Sequence, residues 1–231
     1  MNTKIFCDIA ELDQIKKFNN KRIIKGFTTN PSLMRKAGAR DYKLYSKEIL
    51  KVTNKPISFE VFADEENKMI SQGIKIAQWG KNVYVKVPVK NSEGKFMGKV
   101  IKKLSNKKIK LNITAVYSSE QTRQILKYIN KRTKVIISIF AGRMGDVGKD
   151  PLPEFKRSIK LVKKFKNVSI LWASTREPYN LMQAKMIKCH IITVPPSIIE
   201  KICKFGKTSN QLTLDTVKGF LIDSRKSKFK I

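Results

Sequence analysis

Lys86 stands in the middle of Val83-Tyr84-Val85-Lys86-Val87-Pro88-Val89, a single amine in a run that is otherwise apolar and largely β-branched. Such a run reads as a strand with both faces buried. Burial disfavours an ammonium relative to the free amine, and a free amine attacks carbonyl carbon to form a Schiff base. The competing reading is a lysine near a strand end that snorkels to water. Two of the chain's 18 acids, Asp8 and Glu60, also fall inside strand-like segments. As ion-pair partners they would hold a buried lysine; as acid and base they would carry the proton transfers of carbinolamine formation, imine formation and carbon–carbon cleavage. Both readings place them around Lys86.

The elements that must position these groups alternate along the whole chain. Strand-like runs fall at Lys4–Ile9, Ile23–Thr28, Ile57–Phe62, Val83–Val89, Ile109–Val116, Val135–Phe140, Ser169–Ser174 and Ile191–Val194. Between and after them lie amphipathic stretches at Tyr42–Val52, Glu65–Trp79, Phe96–Leu104, Ser119–Ile129, Glu154–Phe165, Pro178–Ile187 and Ser197–Phe205. Eight strand-to-helix units without an internal linker predict one α/β domain over residues 1–231, a single parallel (β/α)8 TIM barrel. A doubly wound open sheet is the other candidate, but no glycine-rich turn follows the first strand. A last helix, Leu214–Ser224, lies in a C-terminal extension over 207–231, with Val217, Phe220 and Leu221 at helical spacing. It is expected to cap the barrel or to pack on a neighbouring subunit.

In a barrel of this kind chemistry sits at the carboxyl ends of the strands. The polar residues there are Asp8, then Thr28 with Asn30, then Glu60, Lys86, Asn112 with Thr114, Ser138 followed by Arg143, and Ser174 followed by Arg176. Strand alternation puts Asn112 and Thr114 on one face, and Ser138 and Phe140 on one face. Two guanidiniums near a hydroxyl, Arg143 and Arg176 with Ser174, suit a phosphate.

The 231 residues carry 49 Lys and Arg against 18 Asp and Glu, a formal net charge of +31. Nucleic acid is the first partner such a charge raises. The lysines are spread over almost every expected helix, no zinc-finger spacing or aromatic RNA-binding signature gathers them, and solvated helix faces account for them; anionic metabolites remain natural ligands for such a field. With 41% hydrophobic residues the chain is expected to build a sizeable core. No run of about 18 apolar residues predicts a membrane span. Three cysteines without a CxxC pair, and an N-terminus that lacks the apolar stretch of a secretory signal, suit a reducing cytoplasm.

Taken in order, Cys7-Asp8-Ile9-Ala10, Gly26-Phe27-Thr28-Thr29-Asn30-Pro31-Ser32-Leu33, Ser58-Phe59-Glu60-Val61, Val85-Lys86-Val87-Pro88, Leu111-Asn112-Ile113-Thr114, Phe140-Ala141-Gly142-Arg143 and Ala173-Ser174-Thr175-Arg176 resemble the transaldolase family. More narrowly they are similar to its short-chain branch, which includes fructose 6-phosphate aldolase. The resemblance implies a class I enzyme without metal or organic cofactor that moves a dihydroxyacetone unit between sugar phosphates, as in the pentose phosphate pathway. It implies Lys86 as the Schiff-base lysine, Asp8 as acid and base, and Glu60 acting with Thr114 through a catalytic water. Asn30, Asn112 and Ser138, with Thr28 and Phe140 beside them, would hold the dihydroxyacetone moiety, and Arg143, Ser174 and Arg176 the phosphate. It further implies a homo-oligomer, a ring-like pentamer or decamer, with the last helix on a neighbour.

The aldolase branch carries glutamine where Glu60 falls and tyrosine where Phe140 falls, so this pair favours transfer over release of free dihydroxyacetone. A lyase that cleaves fructose 6-phosphate to dihydroxyacetone and glyceraldehyde 3-phosphate is the alternative, and a non-catalytic basic barrel that binds nucleic acid is a second. A deoxyribose-phosphate aldolase-like lyase would share the Schiff base but not the Thr28-Thr29-Asn30-Pro31 segment. Departures from the family pattern cluster on the acceptor side: Val89-Lys90-Asn91 where a threonine is usual, Thr175 where an aromatic is common, and a glycine-rich segment 142–150 that reads as a flexible rim loop. Zinc chemistry lacks ligands, since His190 is the only histidine and precedes the eighth strand, opposite the site. Cys7 is expected to turn away from the barrel axis, and Trp172 to lie in the core.

Overall fold

The computed structural model describes residues 2–227, so residues 228–231 of the expected C-terminal extension lie outside the described residues. In chain order the elements are β1 (Lys4–Asp8), α1 (Leu12–Asn19), β2 (Ile24–Thr28), α2 (Pro31–Lys36), α3 (Tyr42–Val52), β3 (Ile57–Glu60), α4 (Glu66–Ala77), β4 (Val83–Pro88), α5 (Gly98–Asn106), β5 (Leu111–Val116), α6 (Ser119–Leu126), β6 (Val135–Phe140), α7 (Ala141–Gly145), α8 (Leu152–Val162), β7 (Val168–Ala173), α9 (Tyr179–Met186), β8 (Ile191–Val194), α10 (Pro196–Ile202) and α11 (Ser209–Ser227). All eight strands pair in parallel, each with its sequence neighbours, and β1 closes on β8 through Lys4↔Ile191 to Cys7↔Val194. This is the TIM barrel with a C-terminal helix.

Strand alternation divides the apolar side chains into two layers. One set, including Cys7, Phe27, Phe59, Val85, Ile137, Ile170 and Trp172, packs outward under the helices. A smaller set, Phe6, Ile136, Leu171, Ala173 and Ile191, fills the barrel interior with Tyr84 and Phe140 against it. Phe6 lies across Gly26, where a Cβ would meet the ring at 2.6 Å, so a side chain at that strand position would be driven into the aromatic plug. Trp172 stacks on Phe155 with ring centroids 4.5 Å apart, and its place is the outer core. His190 accepts a hydrogen bond at Nδ1 from the Ile170 amide, 3.1 Å away, at the N-terminal end of the barrel.

Local chemistry accounts for where the helices begin. Ser118 and Gln121 form a reciprocal capping box at α6, and the Asp41 side chain accepts from the Leu44 amide at α3. Three helices escape the periodicity reading: α2 and α7, at 6 and 5 residues, are too brief to show a repeating apolar face, and α1 buries only Ile15 and Phe18, a single apolar pair. One of them has a local signal, because Asn30 caps α2 and Pro31 occupies its first turn. The seventh strand ends at Ala173 and not at Ser174, which adopts a left-handed backbone with φ 61°. The last helix is longer than its apolar spacing suggested and buries none of its residues, leaving Leu212, Leu214, Val217, Phe220, Leu221 and Ile222 exposed.

Candidate active site

The strand ends meet in a cavity of about 210 Å³. Its wall contains Asp8, Thr28, Asn30, Lys86, Asn112, Thr114, Ser138, Phe140, Arg143, Ser174 and Arg176, together with Leu171, Ala173 and Thr193. Glu60 is the one expected site residue outside that wall, although its carboxylate meets Lys86. Register explains this grouping: Glu60 pairs with Lys86 across β3 and β4, and Lys86 with Asn112 across β4 and β5. Three neighbouring strands thus present an acid, an amine and an amide at one level of the barrel.

Lys86 is 8% exposed and reaches the cavity instead of bulk water, which resolves the choice between burial and snorkelling. Its Nζ lies 3.1 Å from Glu60 Oε2 and donates to the Thr29 carbonyl at 3.2 Å. Glu60 is itself fixed by its backbone amide, which donates to the Tyr42 hydroxyl at 2.9 Å. Tyr42 is held edge-on by Phe62 and Trp79. A helix residue eighteen positions upstream thereby fixes the strand end from which the carboxylate reaches the amine.

On the other side of the lysine, Thr28 donates to Asp8 Oδ1 at 2.6 Å and contacts the Thr193 hydroxyl at 2.5 Å. Thr28 has one proton and gives it to Asp8, so Thr193 supplies the donor of the second bond. Burial pushes the Asp8 carboxyl above the ordinary aspartate value, with the Thr28 hydrogen bond and the Lys86 charge pulling partly back. Cys7, one residue earlier, points outward as alternation requires, and burial raises its thiol.

Asn112 and Ser138 are tied to each other. Ser138 donates to Asn112 Oδ1 at 2.7 Å, and Asn112 Nδ2 donates to Ser58 Oγ at 3.0 Å. Asn30 departs from the sequence expectation, since its Oδ1 is engaged as the cap of α2, accepting from Leu33 at 2.9 Å. Its amide nitrogen and the second lone pair of Oδ1 remain to meet a ligand. Thr114 Oγ1 is buried and has no partner among the described residues. Ala115, the residue after it, has φ 56°, and the pairing of β5 with β6 shifts between Ile113 and Val116, so a bulge re-aims the strand end at Thr114. Orphaned hydroxyls in polar cavities are met by whatever occupies them.

At the rim, the segment expected to be a flexible loop begins as α7. The guanidinium of Arg143 lies 5.7 Å from the Phe140 ring centroid. Gly142 is there for space: a Cβ would lie 1.8 Å from the Ser174 carbonyl oxygen, a backbone atom. Gly142→Ala must therefore separate α7 from the end of β7, moving Arg143 relative to Arg176. A stability loss of about 1–3 kcal/mol in urea titration, with weakened binding of a phosphorylated ligand, is the expected result.

Arg176 is not free, contrary to what its place in the sequence implies. Asp146 grips it with two oxygens, Nε to Oδ1 at 3.0 Å and Nη2 to Oδ2 at 2.5 Å. The hydrogen bond from Arg176 holds the Asp146 carboxyl below its ordinary range. This carboxylate occupies the fork that a phosphate would use, so Asp146→Asn should tighten binding of a phosphorylated substrate. Both partners are about half exposed, which limits the expected fall in KM to roughly fivefold. Steady-state kinetics against substrate concentration would read it.

Sequence reasoning missed Thr193, Ser58, Tyr42 and Asp146. Thr193 was discoverable by parity, being a polar residue in Ile191-Ile192-Thr193-Val194. Asp146 lies three residues beyond Arg143, but nothing in that spacing names Arg176 as its partner. Thr175, noted as a departure from the family pattern, donates its hydroxyl to the Thr193 carbonyl at 2.7 Å and anchors β7 to β8.

Solved structures of similar architecture include a 2-keto 3-deoxygluconate aldolase from Picrophilus torridus, with TM-score 0.59, 12% identity and coverage of 100% of this chain and 89% of that one. KGPDC from Streptococcus mutans has TM-score 0.58, 9% identity and 91% coverage of both chains. At those identities the likeness is one of fold. Sequence relatives are much nearer. A protein named "Probable transaldolase" from Nitrosopumilus maritimus is 34% identical over 227 residues, spanning 97% of this chain and 96% of that protein. A second of that name from Thermoanaerobacter sp. is 32% identical over 229 residues, spanning 99% and 100%. Residues 5–231 match the family described as Transaldolase/Fructose-6-phosphate aldolase, and the chain belongs to that family.

Proposed function

We propose that the chain transfers a dihydroxyacetone unit between sugar phosphates through a Schiff base on Lys86. The observation that carries this reading is the amine itself, buried in the polar cavity with Glu60 at 3.1 Å. To attack a ketose carbonyl the amine must shed a proton, and the Glu60 carboxylate is placed to take it. Loss of water from the carbinolamine gives the iminium. Asp8 then removes the proton of the hydroxyl on the far carbon of the bond to be broken; that carbon leaves as the aldehyde of an aldose phosphate, and the electrons of the broken bond pass to the iminium as an enamine. Asp8 exchanges protons readily there because burial raises its carboxyl while the positive nitrogen draws it back. Asn112, Ser138 and Asn30 hold the three-carbon unit, Thr114 meets a water or hydroxyl, and Arg143, Ser174 and Arg176 hold the phosphate.

The enamine lasts until an acceptor aldehyde arrives only if its carbon is not protonated first. Phe140 supports transfer on this ground, since its ring brings no hydroxyl proton to the cavity wall. The natural setting of such a reaction is cytoplasmic sugar-phosphate metabolism, the pentose phosphate pathway in particular. The apolar side chains exposed along α11 support a homo-oligomer in which this helix packs on a neighbouring copy. No helix among the described residues is long and apolar enough to cross a membrane.

Borohydride reduction in the presence of fructose 6-phosphate, followed by mass analysis, tests the covalent step: a three-carbon adduct on Lys86 is expected. Assays with and without erythrose 4-phosphate test its fate. Turnover that requires the acceptor supports transfer, whereas dihydroxyacetone release at the same rate without it would make the protein a lyase.

A further inference from the structure

A cavity of about 900 Å³ lies at the opposite mouth of the barrel. Its rim is formed by Lys4 and Lys25 at the starts of β1 and β2, Lys131, Arg132 and Lys134 before β6, and Lys164 and Lys166 before β7. All seven are exposed, and none pairs with an acid among the described residues. Its floor is apolar and partly aromatic, with Phe6, Tyr84, Ile136, Phe165 and Ile191.

The wider face follows the same rule. Each of the seven loops that lead into β2 through β8 contains Lys or Arg, and none contains Asp or Glu. Acids make up more than a quarter of the charged residues, 18 against 49 cations, yet they collect on the other side, as Glu11, Asp64, Glu93, Asp146 and Glu177 in the loops that leave the strands. Helix dipoles favour cations at helix C-termini, but that preference acts within the last turn and does not explain Lys4 and Lys25 on strands or an open cavity between the loops. The repulsion is felt locally: burial lowers the Lys55 ammonium and the His190 imidazole, and neighbouring Lys25 and Lys4 lower them further. A face built this way gains when an anion covers it.

We propose that this mouth binds single-stranded nucleic acid, the phosphodiester backbone following the ring of lysines while one or two bases enter the cavity against Tyr84 and Phe165. The cavity volume suits an aromatic ligand of nucleotide size, and cationic grooves with stacking platforms are how proteins hold single strands without reading sequence. A bilayer surface is flat and would leave the concavity empty; a duplex is too broad to enter it. The site is separate from the Lys86 cavity and does not depend on its chemistry.

The test is fluorescence anisotropy with labelled oligo(U) and oligo(dT) of about 12 nucleotides, across roughly 50–200 mM salt. The wild-type chain is compared with a mouth variant, Lys131→Gln/Arg132→Gln/Lys134→Gln/Lys166→Gln, and with a control of equal charge, Lys43→Gln/Lys47→Gln/Lys99→Gln/Lys156→Gln, on exposed helix positions. The mouth variant is expected to bind about tenfold or more weakly, with a salt slope shallower by about 0.7 for each phosphate no longer neutralised, while the control stays within about threefold. A preference for oligo(U) would assign RNA as the strand, and equal binding would assign single strands of either sugar. Equal weakening of the two variants, or binding to phosphatidylserine vesicles but to neither oligonucleotide, would overturn the proposal. Thermal melting checks the fold, and if the fourfold variant does not melt cooperatively, Lys131→Gln/Lys166→Gln is read by the same criteria.

Discussion

Lys86→Met is expected to lower turnover by on the order of 10⁴-fold or more and to abolish borohydride trapping altogether. The methionine side chain matches the aliphatic stem of lysine, and Val85 and Val87 keep their outward packing under the helices, so the strand itself has little reason to distort. What the substitution leaves behind is Glu60, with its side chain 19% exposed and its cationic partner gone, and a Thr29 carbonyl without its donor. Stability should therefore fall by about 1–3 kcal/mol. Lys86→Met/Glu60→Gln separates the two effects. Removing the stranded carboxylate should return most of the stability while restoring no activity, a coupling that denaturant titration of both variants would measure. Residual turnover within tenfold of wild type in the single variant would remove Lys86 from the chemistry.

That lysine was legible because a charged residue in a β-branched run is an anomaly at any scale of reading. Asn112, Thr114 and Ser138 followed from strand-end position and parity, and Asp8 from being a scarce acid at a strand end, since a closed barrel turns alternate residues inward and collects strand ends at one mouth. What a linear reading could not supply was partnership across the barrel. Asn30, expected to hold substrate, also caps α2; Arg176, expected to hold phosphate, is also paired with Asp146. Glycine at position 142 suggested flexibility, whereas it permits one backbone to approach another. The lysines show the same limitation on a larger scale. Along the chain they recur in segment after segment and look evenly dispersed. Topology stacks every loop that enters a strand on one face, so residues such as Lys25, Lys134 and Lys166 share a surface that no local window reveals.

Asp8→Asn should separate proton transfer from covalent capture. Thr28 can donate to an amide oxygen as it does to the carboxylate at 2.6 Å, so the hydrogen-bonded frame with Thr193 is preserved. Loss of a general acid and base costs about 10²–10⁴ in kcat, with KM changed little, and borohydride should still trap an adduct on Lys86, more slowly. The substitution also carries a signature in stability. Burial raises the folded-state value of Asp8 above the ordinary 3.8, so the folded chain holds this proton more tightly than the unfolded chain does. The stabilising contribution is complete below 3.8 and is lost as pH rises through the raised folded value, beyond which the protein bears the cost of an ionised carboxylate inside the barrel. Asparagine has no proton to lose there. The variant should match wild type in acid and exceed it in melting temperature near neutrality, the difference opening as pH rises. If the variant melts below wild type at neutral pH, attraction between the Asp8 carboxylate and Lys86 outweighs burial, and Asp8 is held as a charge partner of the lysine before it acts as a base.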